Sequence, residues 1–204
     1  NARQQIIATS YHMDKNSTAL EAAHLIDRLE RLHRSEEAAT GLNPAQWQAL
    51  RYLARANRFS RNPAALADYL GSTRGTVSQT LIALEQKGHI AREASARDRR
   101  SVDLSLTSLG QKTLTQDPIH HLASDLATAD TSELAELTET LRSALMALIS
   151  RNGGRAFGAC YNCRHFLRDD GVTKASPHRC ALLDEPLSDF DSRSICVEQE
   201  VAVG

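Results

Sequence analysis

Segment 62–106 restricts the possible folds of this chain most, because helix, turn, helix and hairpin patterns follow one another within it. Apolar residues at helical spacing predict a first helix at 63–70 and a second at 74–86. Gly71 lies between them and can adopt the left-handed conformation that a tight turn requires. Gly88 ends the second helix, and a charged hairpin follows it. This order is typical of a winged helix-turn-helix.

The second predicted helix has a polar side suited to reading DNA. Val77, Leu81 and Leu84 face inward at helical spacing. The polar residues on the outer, N-terminal part are Arg74, Thr76, Ser78 and Gln79. Side chains of these types form hydrogen bonds with base edges in the major groove. Ser72 or Thr73 is expected to cap this helix with its side-chain oxygen.

The predicted hairpin pairs run 89–93 with run 101–106 and has a basic tip. The tip residues expected to contact DNA are Arg97, Asp98, Arg99 and Arg100. Arginine side chains favour a narrow, negatively charged minor groove. A helix-turn-helix pattern alone is common in helical proteins, so the basic hairpin beside it is what favours DNA binding.

Four strings in this segment occur together: Leu66-Ala67-Asp68-Tyr69-Leu70, Thr76-Val77-Ser78, Leu84-Glu85-Gln86-Lys87-Gly88, and Asp98-Arg99-Arg100 followed by Ser105-Leu106-Thr107. In this order and spacing they resemble the multiple antibiotic resistance regulator (MarR) family, over about residues 17–150. The resemblance implies a dimeric winged-helix transcription factor in which Arg100 enters the minor groove and Asp98 orients it. Gly75 departs from the pattern, since a number of relatives carry proline there.

Helices on both sides of this region are expected to form a homodimer. One helix is predicted from Ser17, with Thr18 and Glu21 as a capping box. The last long helix is expected to be capped by Thr131 or Ser132. Its leucines recur at steps of three and four as Leu134, Leu137, Leu141, Leu145 and Leu148. This narrow leucine seam suits dimerisation, and a two-fold dimer is expected to bind a palindromic operator in double-stranded DNA.

All four cysteines lie near the end of the chain, as Cys160, Cys163, Cys180 and Cys196. The surrounding tail has few apolar side chains, so cross-linking by a metal centre would offset the chain entropy of a small module. Cysteines confined to one tail of a protein expected to be cytoplasmic indicate a metal or cluster site more than disulfides.

The identity of the centre stays open at this point. A Cys-x2-Cys pair followed by two separated cysteines resembles the spacing of high-potential iron-sulfur proteins, which implies a 4Fe-4S cluster. Four thiolates can also hold a 2Fe-2S cluster. Structural zinc sites more commonly supply their thiolates as two close pairs. An iron-sulfur cluster is therefore favoured, zinc is the alternative, and a thiol or disulfide switch comes third.

The expected fold is mainly α with a small β wing: a winged helix-turn-helix dimer plus a small four-cysteine metal- or cluster-binding tail. The chain divides into a flexible arm at 1–16, a MarR-like domain at 17–152 and the cysteine module at 153–204. The net charge of -1 gives no overall signal for DNA. Stretch 51–61 nevertheless holds four arginines and no acid, and stretch 87–100 holds five Lys or Arg residues. Such patches can contact phosphates.

No apolar run is long enough to span a bilayer, and the N-terminus has no apolar signal-peptide core. We therefore expect a cytoplasmic protein without membrane contact. An enzyme is not expected, because no base or substrate site is evident near Cys160 or Cys163.

The sequence thus predicts a transcriptional regulator, with repression expected, whose operator binding depends on an iron-sulfur cluster in the tail. The cluster would sense redox state, oxygen, nitric oxide or iron, and would change how the tail packs against the dimerisation helices. The alternative is a small-molecule-responsive MarR-type regulator with a structural zinc site. Its effector would bind between the dimerisation helices and the DNA-binding lobe.

Overall fold

The computed structural model describes residues 14–95, 101–171 and 173–201. The elements before the tail are α1 (Lys15–Ala39), α2 (Pro44–Arg55), α3 (Pro63–Leu70), α4 (Arg74–Gln86), β1 (Ile90–Ala94), β2 (Val102–Leu106), α5 (Ser108–Leu114), α6 (Ile119–Leu126) and α7 (Thr131–Arg151). The tail contains β3 (Gly158–Ala159), a 3-10 turn (Cys160–Asn162), β4 (Phe166–Leu167), β5 (His178–Cys180), β6 (Glu185–Leu187), α8 (Asp189–Arg193) and β7 (Ile195–Cys196). No helix within the described ranges is long and apolar enough to cross a membrane.

The helix-turn-helix has the boundaries that the sequence predicts. α3 and α4 cover the predicted ranges, and Gly71 between them has a φ of 58°. Asn62 caps α3, since its Oδ1 accepts from the Ala65 N–H at 2.9 Å. Thr73, one of the two predicted caps, accepts from the Thr76 N–H at 3.1 Å. Each cap satisfies a backbone donor that the first turn leaves unpaired.

The wing strands β1 and β2 pair antiparallel, with Ile90 opposite Leu106. Each strand begins one residue later than predicted. The Leu104 N–H donates to the Arg61 carbonyl at 2.7 Å, which joins the wing to the segment that precedes α3. The predicted tip of the wing, residues 97–100, lies outside the described residues.

One apolar core joins the helix-turn-helix to the tail. Trp47 and Leu50 of α2, Leu66 of α3 and Leu81 of α4 are almost fully buried in it. Val197 of the tail belongs to the same buried cluster. Because Val197 is buried in this core, the tail packs on its own chain. Burying a large aliphatic or aromatic side chain contributes roughly 1.5–3 kcal/mol to the stability of the fold.

The tail contacts the segment between α2 and α3, residues 56–62, which we call the α2–α3 connection. Ala56 forms a parallel bridge with Ile195, and the Asn57 N–H donates to the Ile195 carbonyl at 2.9 Å. Within the tail, β3 pairs with β7, and β4, β5 and β6 form a three-stranded sheet. The expectation that the tail docks on the dimerisation helices is wrong in this respect, because β7 is bonded to the lobe that holds the helix-turn-helix.

Two helix starts differ from the prediction. α1 begins after Asp14, whose carboxylate accepts a helix N–H at 2.8 Å, and Thr18 lies inside the helix instead of capping it. α7 begins after Asp130, so neither Thr131 nor Ser132 is its cap. In both cases an aspartate one to four residues earlier accepts from the free N–H groups, as a preferred N-cap residue does.

A buried ion cluster centred on Arg51 holds three helical segments together. Arg51 Nε and Nη2 donate to the two carboxylate oxygens of Asp117 at 2.7 and 2.5 Å, and Nη1 donates to Glu37 Oε1 at 2.5 Å. His33 Nε2 lies 3.2 Å from Arg51 Nη2. Glu37 and Asp117 are only 2% and 3% exposed. The cluster thus joins α1, α2 and the α5–α6 junction.

The long terminal helices leave apolar faces without cover from the described residues. The leucines and isoleucine concerned are 40–60% exposed: Leu20, Ile26, Leu29 and Leu32 on α1, and Leu137, Leu141, Leu145 and Leu148 on α7. Contiguous apolar surface of this kind marks an interaction site. The predicted leucine seam is therefore present on the outside of the chain.

We expect Asp117→Asn to lower the free energy of unfolding at neutral pH by about 2 kcal/mol, because Arg51 loses one of its two carboxylate partners and keeps only Glu37. Burial opposes ionisation of Asp117, but the hydrogen bonds from Arg51 and the Ile119 N–H lower its pKa below the ordinary value of 3.8. A lowered pKa stabilises the fold above pH 3.8, and this contribution is lost as the pH falls through the folded-state pKa.

Chemical denaturation at several pH values checks this prediction. The stability gap between wild type and Asp117→Asn should narrow as the pH falls below about 4. Asp125→Asn on exposed α6 is the control and should change stability little. A gap that stays constant down to pH 2 would contradict the role of the Asp117 charge.

Candidate DNA-reading helix and four-cysteine site

The predicted base-reading residues lie at the exposed start of α4. Arg74, Thr76 and Gln79 are exposed, and Ser78 is half-buried. Val77 on the opposite face is only 2% exposed, so the helix packs through the side that its apolar spacing predicts. The four polar residues therefore share the outer, N-terminal part of one helix.

Arg74 and Gln79 are available for a partner outside the described part of the chain. Arg74 and Gln79 form no side-chain hydrogen bond or ion pair with the described residues. Thr76 Oγ1 is 2.9 Å from Thr73 Oγ1, so its hydroxyl shares a hydrogen bond with the helix cap. Arg97, Asp98, Arg99 and Arg100 at the wing tip fall outside the described residues.

Three of the four arginines in stretch 51–61 bind other groups of the same chain. Arg51 is held in the buried ion cluster. Arg58 donates to the Pro186 carbonyl, and it also lies near acidic side chains of the tail. Arg61 Nε donates to the Ala56 carbonyl at 3.0 Å. Phosphate binding by this stretch stays a prediction, and the structure gives these three arginines partners inside the chain that the sequence did not show.

The tail brings three of the four cysteines into one apolar cluster. Cys160 and Cys196 are each 5% exposed and pack with Phe59 and Leu187. Cys180 is half-buried and packs against the same cluster. The β3–β7 pairing brings the 3-10 turn beside Cys196, and β4 places its first residue opposite Cys180. Short strands thus gather cysteines that lie far apart in sequence.

Cys163 lies three residues after Cys160, at the end of the same 3-10 turn. Its backbone N–H donates to the Cys160 carbonyl at 2.8 Å. Its sulfur accepts from the Glu200 N–H at 3.4 Å, and the Cys160 sulfur accepts from Asn57 Nδ2 at 3.4 Å. All four cysteines are free thiols. Cys160 and Cys163 therefore lie at one turn, and the sulfur of each accepts a hydrogen bond from an N–H group.

Cys160 and Cys196 behave as a coupled pair. The hydrogen bond from Cys160 lowers the pKa of Cys196 to about 6, although burial acts in the opposite direction. Hydrogen bonds from Asn57, Ser60 and the tail backbone lower this pKa further. The same thiol contact, together with burial, raises the pKa of Cys160. One proton is therefore shared at neutral pH and the pair carries one negative charge.

The donor set suits a thiophilic centre, but the sulfurs do not surround a single ion. Three thiols in one apolar cluster, with N–H groups directed at the sulfurs of Cys160 and Cys163, match the surroundings of thiolate-bound metals and clusters. Within the described ranges, no group of three or more His, Cys, Asp or Glu side chains is arranged to hold one metal ion. The chemistry of the site fits thiolate ligation, and its spacing differs from that of a compact tetrahedral site.

A cavity of about 420 Å³ lies between the end of α1, the start of α2, and α5. It is lined by Thr40, Gly41, Leu42, Trp47, Lys87, His89, Thr113 and Gln116. Lys87 Nζ donates to the Gly41 carbonyl at 2.9 Å and to Gln46 Oε1 at 3.1 Å. Burial, and then the Lys87 charge, lower the pKa of His89. The cavity thus combines the apolar Leu42 and Trp47 with polar side chains and one cation.

Comparison with known proteins finds the same fold. Residues 40–101 match the sequence model of the MarR family. The curated transcriptional repressor MprA of Escherichia coli (strain K12) is 33% identical over 113 residues, which are 52% of this chain and 64% of MprA. The protein of that name from Escherichia coli O157:H7 gives the same figures. This chain thus spans less than two thirds of the curated relatives that it matches.

Solved structures agree on the architecture. AbsC, a MarR family transcriptional regulator from Streptomyces coelicolor, has a TM-score of 0.55 at 21% identity, over 68% of this chain and 97% of AbsC. The S. aureus MepR–DNA complex has a TM-score of 0.52 at 21% identity, over 64% of this chain and 97% of MepR. The chain therefore has the mainly helical winged-helix fold of MarR regulators, with a small β wing.

We expect the reduced, chelator-treated protein to gain one thiolate with a midpoint near pH 6, because Cys196 is ionised above its lowered pKa. Thiolate absorbance near 240 nm measures this titration. Cys160→Ala should shift the midpoint upward, since the hydrogen bond that lowers the pKa of Cys196 most is lost. Cys163→Ala is the matched control and should leave the midpoint unchanged. A first midpoint near that of an ordinary thiol would contradict the coupled pair.

Proposed function

We propose that this chain is a MarR-type DNA-binding transcriptional regulator, acting as a repressor, whose operator binding is controlled by an iron-sulfur cluster. Cys160, Cys163, Cys180 and Cys196 hold the cluster in this proposal. The observation that carries DNA binding is the start of α4, where Arg74 and Gln79 stand exposed on a helix fixed by its buried face. A rigid helix with free polar ends is what major-groove reading needs.

The relatives support the regulatory half of the proposal. MprA is named a transcriptional repressor, and MepR has been crystallised with DNA. The family match at 40–101 covers the helix-turn-helix and the first wing strand, β1, and ends just before β2. We carry DNA binding over to this chain because its candidate contact residues lie in the matched part.

A homodimer follows from the exposed faces of α1 and α7. A second copy would cover the leucines that this chain leaves exposed on both helices. Two-fold symmetry would then present two α4 helices to successive major grooves, which matches a palindromic operator. The ion pair between Arg51 and Glu37 fixes α1 to the lobe that carries α4.

We prefer an iron-sulfur cluster to zinc because of the cysteine spacing: a Cys-x2-Cys pair is followed by two separated cysteines, whereas structural zinc sites more commonly supply two close pairs. A 4Fe-4S cluster binds its four thiolates through separate iron atoms. The N–H donors to Cys160 and Cys163 are the kind of contact that sets the properties of such clusters.

The cavity beside Lys87 favours a second candidate function. A volume of about 420 Å³, with Leu42 and Trp47 beside polar side chains and the Lys87 cation, suits a small anionic effector. In this alternative, the chain is a small-molecule-responsive regulator and the cysteines hold a structural zinc ion. The cavity touches the end of α1, the start of α2, and α5, so an effector there could change the angle between lobe and dimer.

Two substitutions test the DNA-reading assignment. Gln79→Ala should relax base choice by roughly 1 to 3 kcal/mol per lost contact. Gln86→Ala, on the same face of α4 two turns further along, is the matched control. Arg100→Ala should weaken binding to all operators, whereas Arg100→Lys should retain part of it. Fluorescence anisotropy with operator duplexes measures each effect, and unchanged affinity after Arg100→Ala would count against the wing assignment.

Anaerobic purification separates the two candidate functions. We expect a brown protein with iron and sulfide in matching amounts, whose visible absorption is lost on exposure to oxygen or nitric oxide. Replacing any of the four cysteines with serine should lower the iron content. A colourless protein with one zinc per chain would sink the cluster proposal and favour the effector-responsive alternative.

A further inference from the structure

The α2–α3 connection is in direct contact with the four-cysteine site. Asn57 and Ser60 are its two fully buried polar residues, each with no exposed surface. Phe59 between them packs against Cys160 and Cys196 in the apolar cluster of the tail. The connection therefore forms one wall of the site, although it lies about a hundred residues before the first cysteine.

Both polar residues bind the cysteine tail. Asn57 Nδ2 donates to Cys160 Sγ at 3.4 Å. Ser60 Oγ accepts from the Val197 N–H at 2.9 Å, next to Cys196. The connection is thus hydrogen-bonded directly to one buried cysteine sulfur and to the backbone beside the other.

The same connection holds the helix-turn-helix in place. Asn57 Oδ1 accepts from the Phe59 and Ser60 N–H groups at 3.2 and 3.0 Å, which fixes the shape of the turn. The Asn62 side chain caps α3, and the Arg61 carbonyl accepts from β2. One continuous stretch of seven residues therefore contacts the cysteines at one end and starts the DNA-binding motif at the other.

We propose that Asn57 and Ser60 are positioning residues that couple the occupancy of the four-cysteine site to the orientation of the helix-turn-helix in the same chain. This inference rests on the proposed function. Asn57 donates most strongly when Cys160 is a ligating thiolate, because hydrogen bonds to an anionic acceptor are the stronger ones. Ser60 ties the same connection to the backbone beside Cys196. Without a bound centre the bond from Asn57 is weaker, and the connection that caps α3 is held less firmly.

Asn57→Asp separates the two functions of this side chain. The aspartate keeps an Oδ1 acceptor for the Phe59 and Ser60 N–H groups, so the turn keeps its shape. It replaces the Nδ2 donor with an oxygen, which repels an anionic sulfur. Asn62→Asp is the matched control, because it makes the same chemical change in the same connection and retains a capping oxygen for α3.

The test compares the dissociation constants of the cluster-loaded and the chelator-treated full-length protein for one DNA duplex. This duplex is first selected from random DNA by the wild-type protein. We expect the two wild-type dissociation constants to differ about tenfold, within the usual range of coupling between sites. The ratio should approach one in Asn57→Asp and fall in Ser60→Ala. Asn62→Asp should keep the wild-type ratio. If Asn57→Asp does not fold or load iron, Ser60→Ala carries the test.

Hydrogen exchange gives a readout that does not involve DNA. The Ala65 and Leu104 amides bond to Asn62 and Arg61, so they report directly on the connection. They should exchange faster in the chelator-treated wild type than in the loaded form, and equally fast in both forms of Asn57→Asp. The coupling would be overturned if Asn57→Asp and Ser60→Ala both kept the wild-type ratio of dissociation constants and the wild-type difference in amide exchange. A wild-type protein that binds no iron, or that binds DNA equally well in both forms, would instead overturn the proposed function.

Discussion

The half-buried charge of Arg51 is the constraint on which the arrangement of the molecule depends. A guanidinium enclosed between helices requires carboxylate partners, and here they come from α1 and from the α5–α6 junction. Because Glu37 and Asp117 are both nearly inaccessible, the segments that carry them cannot move away from α2 without leaving a charge unpaired. The exposed leucine face of α1 is therefore held at a defined position relative to the DNA-binding lobe.

Helix α2 links each site that could carry a signal. Its N-terminal half borders the cavity that contains Lys87, and its middle carries Arg51. Its C-terminal end continues into the connection that touches Cys160 through Asn57. Coupling between sites requires a physically continuous element with two arrangements. A ligand in the cavity and a centre at the cysteines would both act on the same helix, from opposite ends.

Docking of the tail explains why the connection contains buried polar side chains. Asn57 and Ser60 would be costly to bury without partners. The backbone of β7 and the cysteine sulfurs supply those partners. Arg58 and Arg61 complete the same contact, since Arg58 binds tail oxygens and Arg61 stacks over Phe190. Residues that suit DNA phosphates in sequence thus attach the tail in the folded chain.

The sequence by itself determined the local elements of this protein. Apolar spacing, Gly71 and short-range caps act within a few residues, so the predicted limits of α3 and α4 agree with the structure. The cysteine pattern likewise indicated one thiol site. Tertiary structure decided which residues meet across long separations. The partners of Arg51, Arg58 and Asn57 lie 14 to 128 residues away, and local propensity carries no information about such pairs. The attachment of the cysteine tail to the helix-turn-helix is therefore a property of the packed chain alone.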